Sequence, residues 1–174
     1  NFFGSVVFGT NLSQIDGDLS AGYKKAGLTG GVKIDYPLKE YLDISTELLY
    51  SSRGSRHKRN DININLNYIE IPVMISIRDW YIEKDKYDKV KADAGLSYGY
   101  LFSASTSKNI FEITPENFNK HDISFIIGGG FMFNKSFGIY ARYTRSFNKL
   151  YTTDKLDYGG LLSYFVTLRG EYHF

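Results

Sequence analysis

Residues 68–77, YIEIPVMISI, alternate strictly between two kinds of side chain and set the interpretation of the whole chain. Every second position carries a large aliphatic group: Ile69, Ile71, Val73, Ile75 and Ile77. The positions between them are mixed: Tyr68, Glu70, Pro72, Met74 and Ser76. Successive side chains of a β-strand point to opposite sides, so this stretch predicts a strand with one apolar face and one mixed face.

The same alternation recurs along the chain in segments of about 9 to 13 residues. This length exceeds that of most strands in soluble domains and is close to the length that spans a bilayer at a tilt. Eight segments are predicted, at roughly residues 2–13, 28–37, 41–52, 66–77, 90–102, 122–133, 137–147 and 161–174.

Composition supports an all-β chain and excludes several chemistries. The 15 Tyr, 13 Phe and 17 Gly favour strands and turns over helices. A length of 174 residues predicts a single domain over 1–174. The absence of Cys excludes disulfides and thiol nucleophiles, and 21 basic against 19 acidic residues give no general attraction to nucleic acid.

The predicted connections alternate in length. Those at 38–40, 78–89 and 134–136 are mostly short, whereas those at 14–27, 53–65, 103–121 and 148–160 are long. Outer-membrane barrels have short periplasmic turns and longer outer loops, and an even strand count places both termini on the periplasmic side. We therefore predict an eight-stranded antiparallel up-and-down transmembrane β-barrel.

A soluble, lipocalin-like carrier also has strands that alternate between apolar and polar residues. The composition of the mixed face decides between such a carrier and a membrane barrel. This face is rich in Gly, Ser, Thr and Asn with spaced charges, which suits a narrow interior better than a water-exposed surface. Aromatic residues also cluster near the strand ends, as in the two interfacial belts of membrane barrels. The predicted belts are Tyr36, Tyr41, Trp80, Tyr81, Phe133, Phe137, Tyr172 and Phe174 on one rim, and Tyr50, Phe102, Phe147 and Tyr151 on the other.

Charged residues on the mixed face fix its direction. Facing lipid, each basic residue at mid-depth would cost up to about 2–4 kcal/mol, so the charges must face the lumen. The predicted lumen network is Lys33, Asp35, Asp43, Glu47, Glu70, Lys91, Asp93, Asp122, Arg142, Arg169 and Glu171. Since eight strands leave room for side chains but no wide channel, we expect a polar plug, with a proton or small-ion path as the alternative.

Catalytic and metal-binding patterns are weak. The three histidines, His57, His121 and His173, are dispersed and lack the close partner of a metal motif. A lipid-modifying enzyme would need a His, an Asp and a Ser side chain close together near the outer rim. The candidates in this chain are His121 and Asp122 with Ser103 or Ser105. We expect no catalytic site, metal or cofactor, and keep the lipid-modifying enzyme as an alternative function.

A basic cluster falls in the second predicted long loop and consists of Arg53, Arg56, Lys58 and Arg59. Such a cluster binds phosphate groups of a surface glycolipid through charge-assisted hydrogen bonds, or is a solvated loop. Both readings stay open from the sequence.

Several short motifs together resemble the PorT-like family of small outer-membrane β-barrel proteins of Bacteroidetes. They are GTNLSQ at 9–14 with GD at 17–18, GYKKAG at 22–27, YIEIPV at 68–73, AGLSYGYL at 94–101, Asp122 with the glycines at 128–130, and ARY at 141–143 followed by SF at 146–147. The resemblance covers nearly the whole chain. It implies an exported barrel that the outer-membrane assembly machinery inserts, with Tyr172 and Phe174 as the recognition end, although Arg169 stands where that signal usually has glycine. The family's namesake is associated with type IX secretion, and most members have no assigned activity.

We therefore expect a non-enzymatic barrel of the bacterial outer membrane that acts as a structural or accessory subunit of an envelope complex, related to secretion or to outer-membrane assembly or transport. Its expected partners are membrane lipid, surface glycolipid, the assembly machinery during insertion and a larger protein complex. Because the alternation begins at residues 1–3 without a signal peptide, we expect this to be a mature form.

Overall fold

The structure is a computed structural model that describes residues 2–16, 25–57, 62–83, 87–106, 119–148 and 162–174. It contains eight strands in these regions. They are β1 Phe3–Asp16, β2 Lys25–Lys39, β3 Leu42–His57, β4 Ile62–Ile82, β5 Tyr87–Thr106, β6 His121–Met132, β7 Phe137–Ser146 and β8 Leu162–His173.

The strands form one closed barrel in which each pairs antiparallel with its sequence neighbours. β8 returns to β1 and closes the sheet through pairs such as Asn11↔Thr167 and Val7↔Glu171. The predicted fold class is therefore confirmed in strand number, order and direction. In the described part of the chain, no helix is long and apolar enough to cross a membrane.

The two faces of each strand have opposite chemistry. On β4, the aliphatic residues from Ile69 to Ile77 are 44–55% exposed on the outer wall, whereas Glu70, Met74 and Ser76 between them are buried in the bore. Eight steps of about 3.4 Å cover roughly 27 Å, or about 21 Å across a bilayer at a tilt of about 40°. This apolar wall is close in height to the band of about 25 Å that faces lipid in outer-membrane barrels.

A β-bulge marks the upper limit of this apolar wall. Tyr68 of β4 pairs with Leu101, but Asn67 pairs with Ser103, so Phe102 of β5 has no opposite residue. Above the bulge the polarity of the strand is reversed, because β4 turns amides outward at Asn65 and Asn67 and buries Leu66 inside. The reversal is what a strand leaving lipid for water requires.

The predicted connection at 53–65 is wrong in extent. β3 continues to His57 and β4 begins at Ile62, so the connection is confined to residues 58–61. The two strands pair up to His57↔Ile62 and carry the sheet well past the bulge. Polar residues in this extension, among them Arg56, Asn63 and Asn65, interrupt the apolar alternation of the sequence, which is why the predicted strands ended early.

At the opposite end, which we call the short-turn rim, the β4–β5 hairpin projects past its neighbours. The last backbone bond to β3 runs from the Arg78 amide to the Tyr41 carbonyl at 2.8 Å, and the pairing of β5 with β6 begins only at Val90↔Phe131. Trp80 in this hairpin has a φ of 61°, which is uncommon for a bulky residue, and its amide donates to Asp79 Oδ1 at 2.7 Å. The hairpin therefore holds Trp80 in a left-handed backbone conformation that its own Asp79 side chain supports.

Aromatic side chains encircle both rims on the outside. At the short-turn rim the rings of Phe133 and Phe137 stack with centroids 5.9 Å apart. At the other, long-loop rim, the centroids of Tyr50 and Phe102 are 6.1 Å apart. Every predicted belt residue is exposed on the wall except Tyr151, which lies outside the described residues.

Candidate functional site

The bore of the barrel is the main concentration of chemically active side chains. All members of the predicted lumen network are buried there, at most 6% exposed: Lys33, Asp35, Asp43, Glu47, Glu70, Lys91, Asp93, Asp122, Arg142, Arg169 and Glu171. Their inward direction follows from the two-residue period of the strands that carry them.

From the short-turn rim, these groups form a chain in which acidic and basic residues alternate. Arg78 contacts Asp88 and Asp43, each at 3.0 Å. Lys91 lies 3.4 Å from Asp43 and 2.8 Å from Asp35. Arg78, Asp43 and Lys91 therefore each lie between two opposite charges, and Asp88 stands at the rim end of the chain.

The chain continues through the middle of the barrel. Lys33 lies 3.4 Å from Asp35 and donates to Glu171 Oε2 at 3.0 Å. Glu171 in turn pairs with Arg169. Arg169 forks onto both carboxylate oxygens of Glu47, with bonds of 2.8 and 2.7 Å. Such bidentate pairs combine strength with fixed geometry.

Glu47 is the branching point of the chain. It also accepts a bond of 3.0 Å from Arg142 Nη1, while Arg142 Nε and Nη2 reach Asp93 Oδ2 at 2.9 and 2.5 Å. Three strands distant in sequence are tied together here, since Glu47 lies on β3, Asp93 on β5 and Arg142 on β7. The chain therefore crosses the bore as well as running along it.

A separate trio occupies the end of the bore toward the long-loop rim. Arg53 bonds Glu70 at 2.6 Å and Asp122 at 2.6 Å, and its guanidinium lies 4.6 Å from the Tyr68 ring centroid and 4.3 Å from that of Phe165. Arg53 was predicted in an exposed glycolipid-binding loop, and this placement is wrong. It lies on the inward parity of β3 and is 1% exposed.

The two ends of the bore differ. Beside the Arg53 trio, Leu66 and Leu101 on the adjacent strands β4 and β5 are also buried, opposite Arg53 and Tyr68. In the middle, a cavity of about 20 Å³ beside Arg142 and Arg169 has room for about one water molecule. At the short-turn rim, a cavity of about 330 Å³ is lined by residues that include Asp35, Tyr87 and His173. The bore is thus open to solvent at one end and packed toward the other.

Two of three consecutive glycines on β6 make room for large interior groups. A Cβ added to Gly128 would lie 2.6 Å from Arg142 Cγ and 2.8 Å from Asp93 Oδ1. A Cβ at Gly130 would overlap the ring of Tyr140. Gly128 and Gly130 therefore serve close packing within the barrel.

The residues of the possible His, Asp and Ser group do not converge. Asp122 points into the bore toward Arg53, whereas His121 lies outside, where its Nδ1 is 2.6 Å from the Tyr98 hydroxyl. Ser103 and Ser105 are exposed on the outer wall, where they pair with Asn67 and Asn65. His121 and Asp122 are consecutive on one strand, so they face opposite sides of the wall.

The remaining predicted site residues lie at the two rims. Arg56 is part of β3, opposite Asn63, and Lys58 and Arg59 lie outside the described residues. Tyr172 and Phe174 are exposed at the short-turn rim, and the Phe174 amide donates to the Gly4 carbonyl at 3.0 Å. Across the regions given above, no group of three or more His, Asp or Glu side chains is arranged to hold a metal ion.

Sequence reasoning missed three charged members of the interior network, Arg53, Arg78 and Asp88. Arg53 was recoverable, because the odd-numbered parity that turns Asp43 and Glu47 inward continues along β3 to residue 53. Arg78 shares the even-numbered parity that turns Glu70 and Ser76 inward, but the predicted strand ended at residue 77, so its contacts with Asp43 and Asp88 were missed.

The chain was compared with known proteins. A family model described as "Outer membrane protein beta-barrel domain" matches residues 1–152. The crystal structure of Ail, the attachment invasion locus protein of Yersinia pestis, is similar with a TM-score of 0.56 at 18% identity, over 100% of this chain and 99% of that chain. Neisserial surface protein A is similar with a TM-score of 0.55 at 11% identity, over 99% and 97%. At such identities the likeness concerns the fold alone. No protein of curated function matches the sequence.

Proposed function

The chain belongs to the outer membrane protein β-barrel domain family, and from this premise we propose that it acts as a non-enzymatic structural or accessory subunit of an envelope complex in the bacterial outer membrane. The observation that carries the proposal is the bore itself. Its charges are engaged with one another from Asp88 at one rim to Asp122 near the other. Because the charged interior stabilises the barrel, the outer wall and the rims are the surfaces that can bind partners.

The periplasmic β4–β5 hairpin is the surface best suited to a partner. It extends past the strands on either side, and Trp80 and Tyr81 are 58% and 57% exposed on it. Trp and Tyr are enriched at protein interfaces because a large apolar body is combined with a polar tip. Arg78 ties the base of the hairpin to Asp43 and Asp88, so the aromatic pair is presented on a fixed element.

Gentle detergent purification of the tagged protein from its own cells, followed by identification of co-purifying chains, tests this function. We expect a stoichiometric envelope protein with the unmodified chain and its loss with the double variant Trp80→Ala, Tyr81→Ala. The matched control removes two aromatic groups of comparable exposure from the other rim, Phe102→Ala and Phe147→Ala, and should keep the partner. The unmodified chain purifying alone at full yield would contradict the proposal.

Three further partners accompany this role. The apolar wall contacts membrane lipid, the outer rim contacts surface glycolipid, and the C-terminal Tyr172 and Phe174 are read by the assembly machinery during insertion. Support for the last comes from the exposure of both rings on the outer wall at the periplasmic rim, where an insertion factor can reach them.

A further inference from the structure

The outer wall carries a neutral polar surface directly above the long-loop aromatic belt. It consists of two neighbouring cross-strand pairs, Asn67↔Ser103 and Asn65↔Ser105. We name these four residues the amide–hydroxyl patch. Side chains of directly opposed residues have Cβ atoms about 4.5–5.5 Å apart, so the four groups form one continuous surface.

The bulge at Phe102 creates the patch. Without the extra residue, the parity of β5 would turn Ser103 and Ser105 into the bore, opposite to the direction of the Asn residues on β4. With it, Phe102 stays in the aromatic belt and both serines are exposed on the outer wall. The bulge thus places hydroxyl groups beside amides at one level of the wall.

The chemistry of the patch is that of neutral hydrogen bonding. Amide and hydroxyl groups both donate and accept, and the patch contains no charged side chain. The Tyr50 hydroxyl donates to Asn67 Oδ1 at 3.0 Å, which fixes the amide and directs its NH2 group to other acceptors. Directly below, the rings of Tyr50 and Phe102 supply an apolar platform.

The position of the amide–hydroxyl patch indicates which part of a membrane lipid it contacts. In the outer leaflet, the aromatic belt lies at the headgroup level, and the sugars of a glycolipid stand immediately above it. Sugar hydroxyls are neutral donors and acceptors, whereas phosphate groups call for Arg or Lys. We infer that the amide–hydroxyl patch binds sugar rings of a glycolipid in the outer leaflet, whose acyl chains lie against the apolar wall below.

This inference requires the outer-membrane location but not the complex-subunit role proposed above, so the two can fail separately. It also differs from the glycolipid contact predicted from sequence. That prediction assigned phosphate binding to a basic loop, and one member of it, Arg53, lies inside the bore.

Binding of two purified probes to the folded protein in detergent tests the inference. The probes are a lipopolysaccharide that carries core sugars and the matching lipid A without them. Because Asn67→Ala with Ser105→Ala removes two hydrogen-bonding side chains, it should weaken binding of the sugar-bearing probe about tenfold. Binding of lipid A should change less than about twofold, which is below 0.5 kcal/mol.

The control variant is Thr10→Ala with Thr46→Ala, which removes two outward hydroxyl groups at the depth of the acyl chains. It should bind both probes as the unmodified chain does. Circular dichroism and the heat-dependent gel mobility of each variant verify the fold. An unchanged affinity for the sugar-bearing probe, or equal weakening for both probes, would overturn the inference.

Discussion

Glu47 holds two guanidinium groups in the centre of the barrel, and its loss should have a large effect on stability. Arg142 and Arg169 both donate to it, and all three side chains are buried. Removing one partner from a buried ion pair costs about 3–5 kcal/mol, because the remaining charge is left without compensation. We therefore expect Glu47→Ala to lower the free energy of unfolding by that amount, measured by urea titration in lipid vesicles.

Thr46→Ala is the matched control for this experiment. Thr46 is adjacent on β3 but faces lipid, so its substitution should change the free energy of unfolding by less than about 0.5 kcal/mol. A loss below about 1 kcal/mol for Glu47→Ala would mean that the network contributes little to holding the barrel together.

Gly128 and Gly129 offer a second residue pair with opposite surroundings. A methyl group at Gly128 would press on Arg142 and Asp93, whereas one at Gly129 would point outward and meet only the Lys91 carbonyl, at 3.2 Å. Overpacking costs about 1–3 kcal/mol, so Gly128→Ala should destabilise the barrel by that amount in the same urea assay. Gly129→Ala should cost less than about 1 kcal/mol, and equal effects would rule out the packing role of Gly128.

At this scale the sequence predicts the direction of a side chain better than its partner. Parity alone assigns Lys33, Glu47 and Arg142 to the bore, because a lipid-facing charge is costly. It cannot assign Glu47 to Arg142 and Arg169, since that contact crosses the barrel between β3, β7 and β8 and depends on closure and shear. Arg53 was placed in a loop because the prediction ended β3 where the apolar alternation of the membrane-facing residues ends.

At the scale of the element, β4 shows where the membrane ends. Val73 and Asn65 face the same side of this strand, but Val73 lies within the apolar wall and Asn65 lies above the bulge. Val73→Arg should cost about 2–4 kcal/mol of unfolding free energy in bilayers, and Asn65→Arg about 0–1 kcal/mol, because the cost of a lipid-facing charge depends on depth. Similar costs at the two positions would show that the edge of the membrane does not lie at the bulge.

The bulge itself was outside the reach of sequence reasoning. Phe102 reads as one more apolar residue in alternation, and nothing in its neighbours marks it as the residue that β4 leaves unpaired. The short turn between Lys39 and Leu42 was foreseen, because the alternation stops and resumes within three residues. The extension of β3 to His57 was missed, since residues 53–57 are polar or glycine and do not continue the apolar alternation of the strand.

At the scale of the whole molecule, the barrel has two chemically distinct ends. The short-turn end opens into a cavity of about 330 Å³ and carries the projecting hairpin with Trp80 and Tyr81. Toward the long-loop end, Leu66 and Leu101 are buried beside the Arg53 trio. The sequence predicted the number and order of the strands from the alternation and the connection lengths. It could not predict the difference between the two ends of the bore, because that difference depends on contacts among side chains from all the strands.

The central claim is that the apolar wall faces lipid and gives way to water above the bulge. Because the chain has no cysteine, single cysteines at Ile71, Val73, Ile75 and Asn65 can each carry a spin label in a bilayer. Electron paramagnetic resonance then compares collision with oxygen, which concentrates in lipid, and with a water-soluble nickel complex. We predict oxygen access at the first three positions and nickel access at Asn65. Nickel access at Ile71, Val73 and Ile75 would contradict the account.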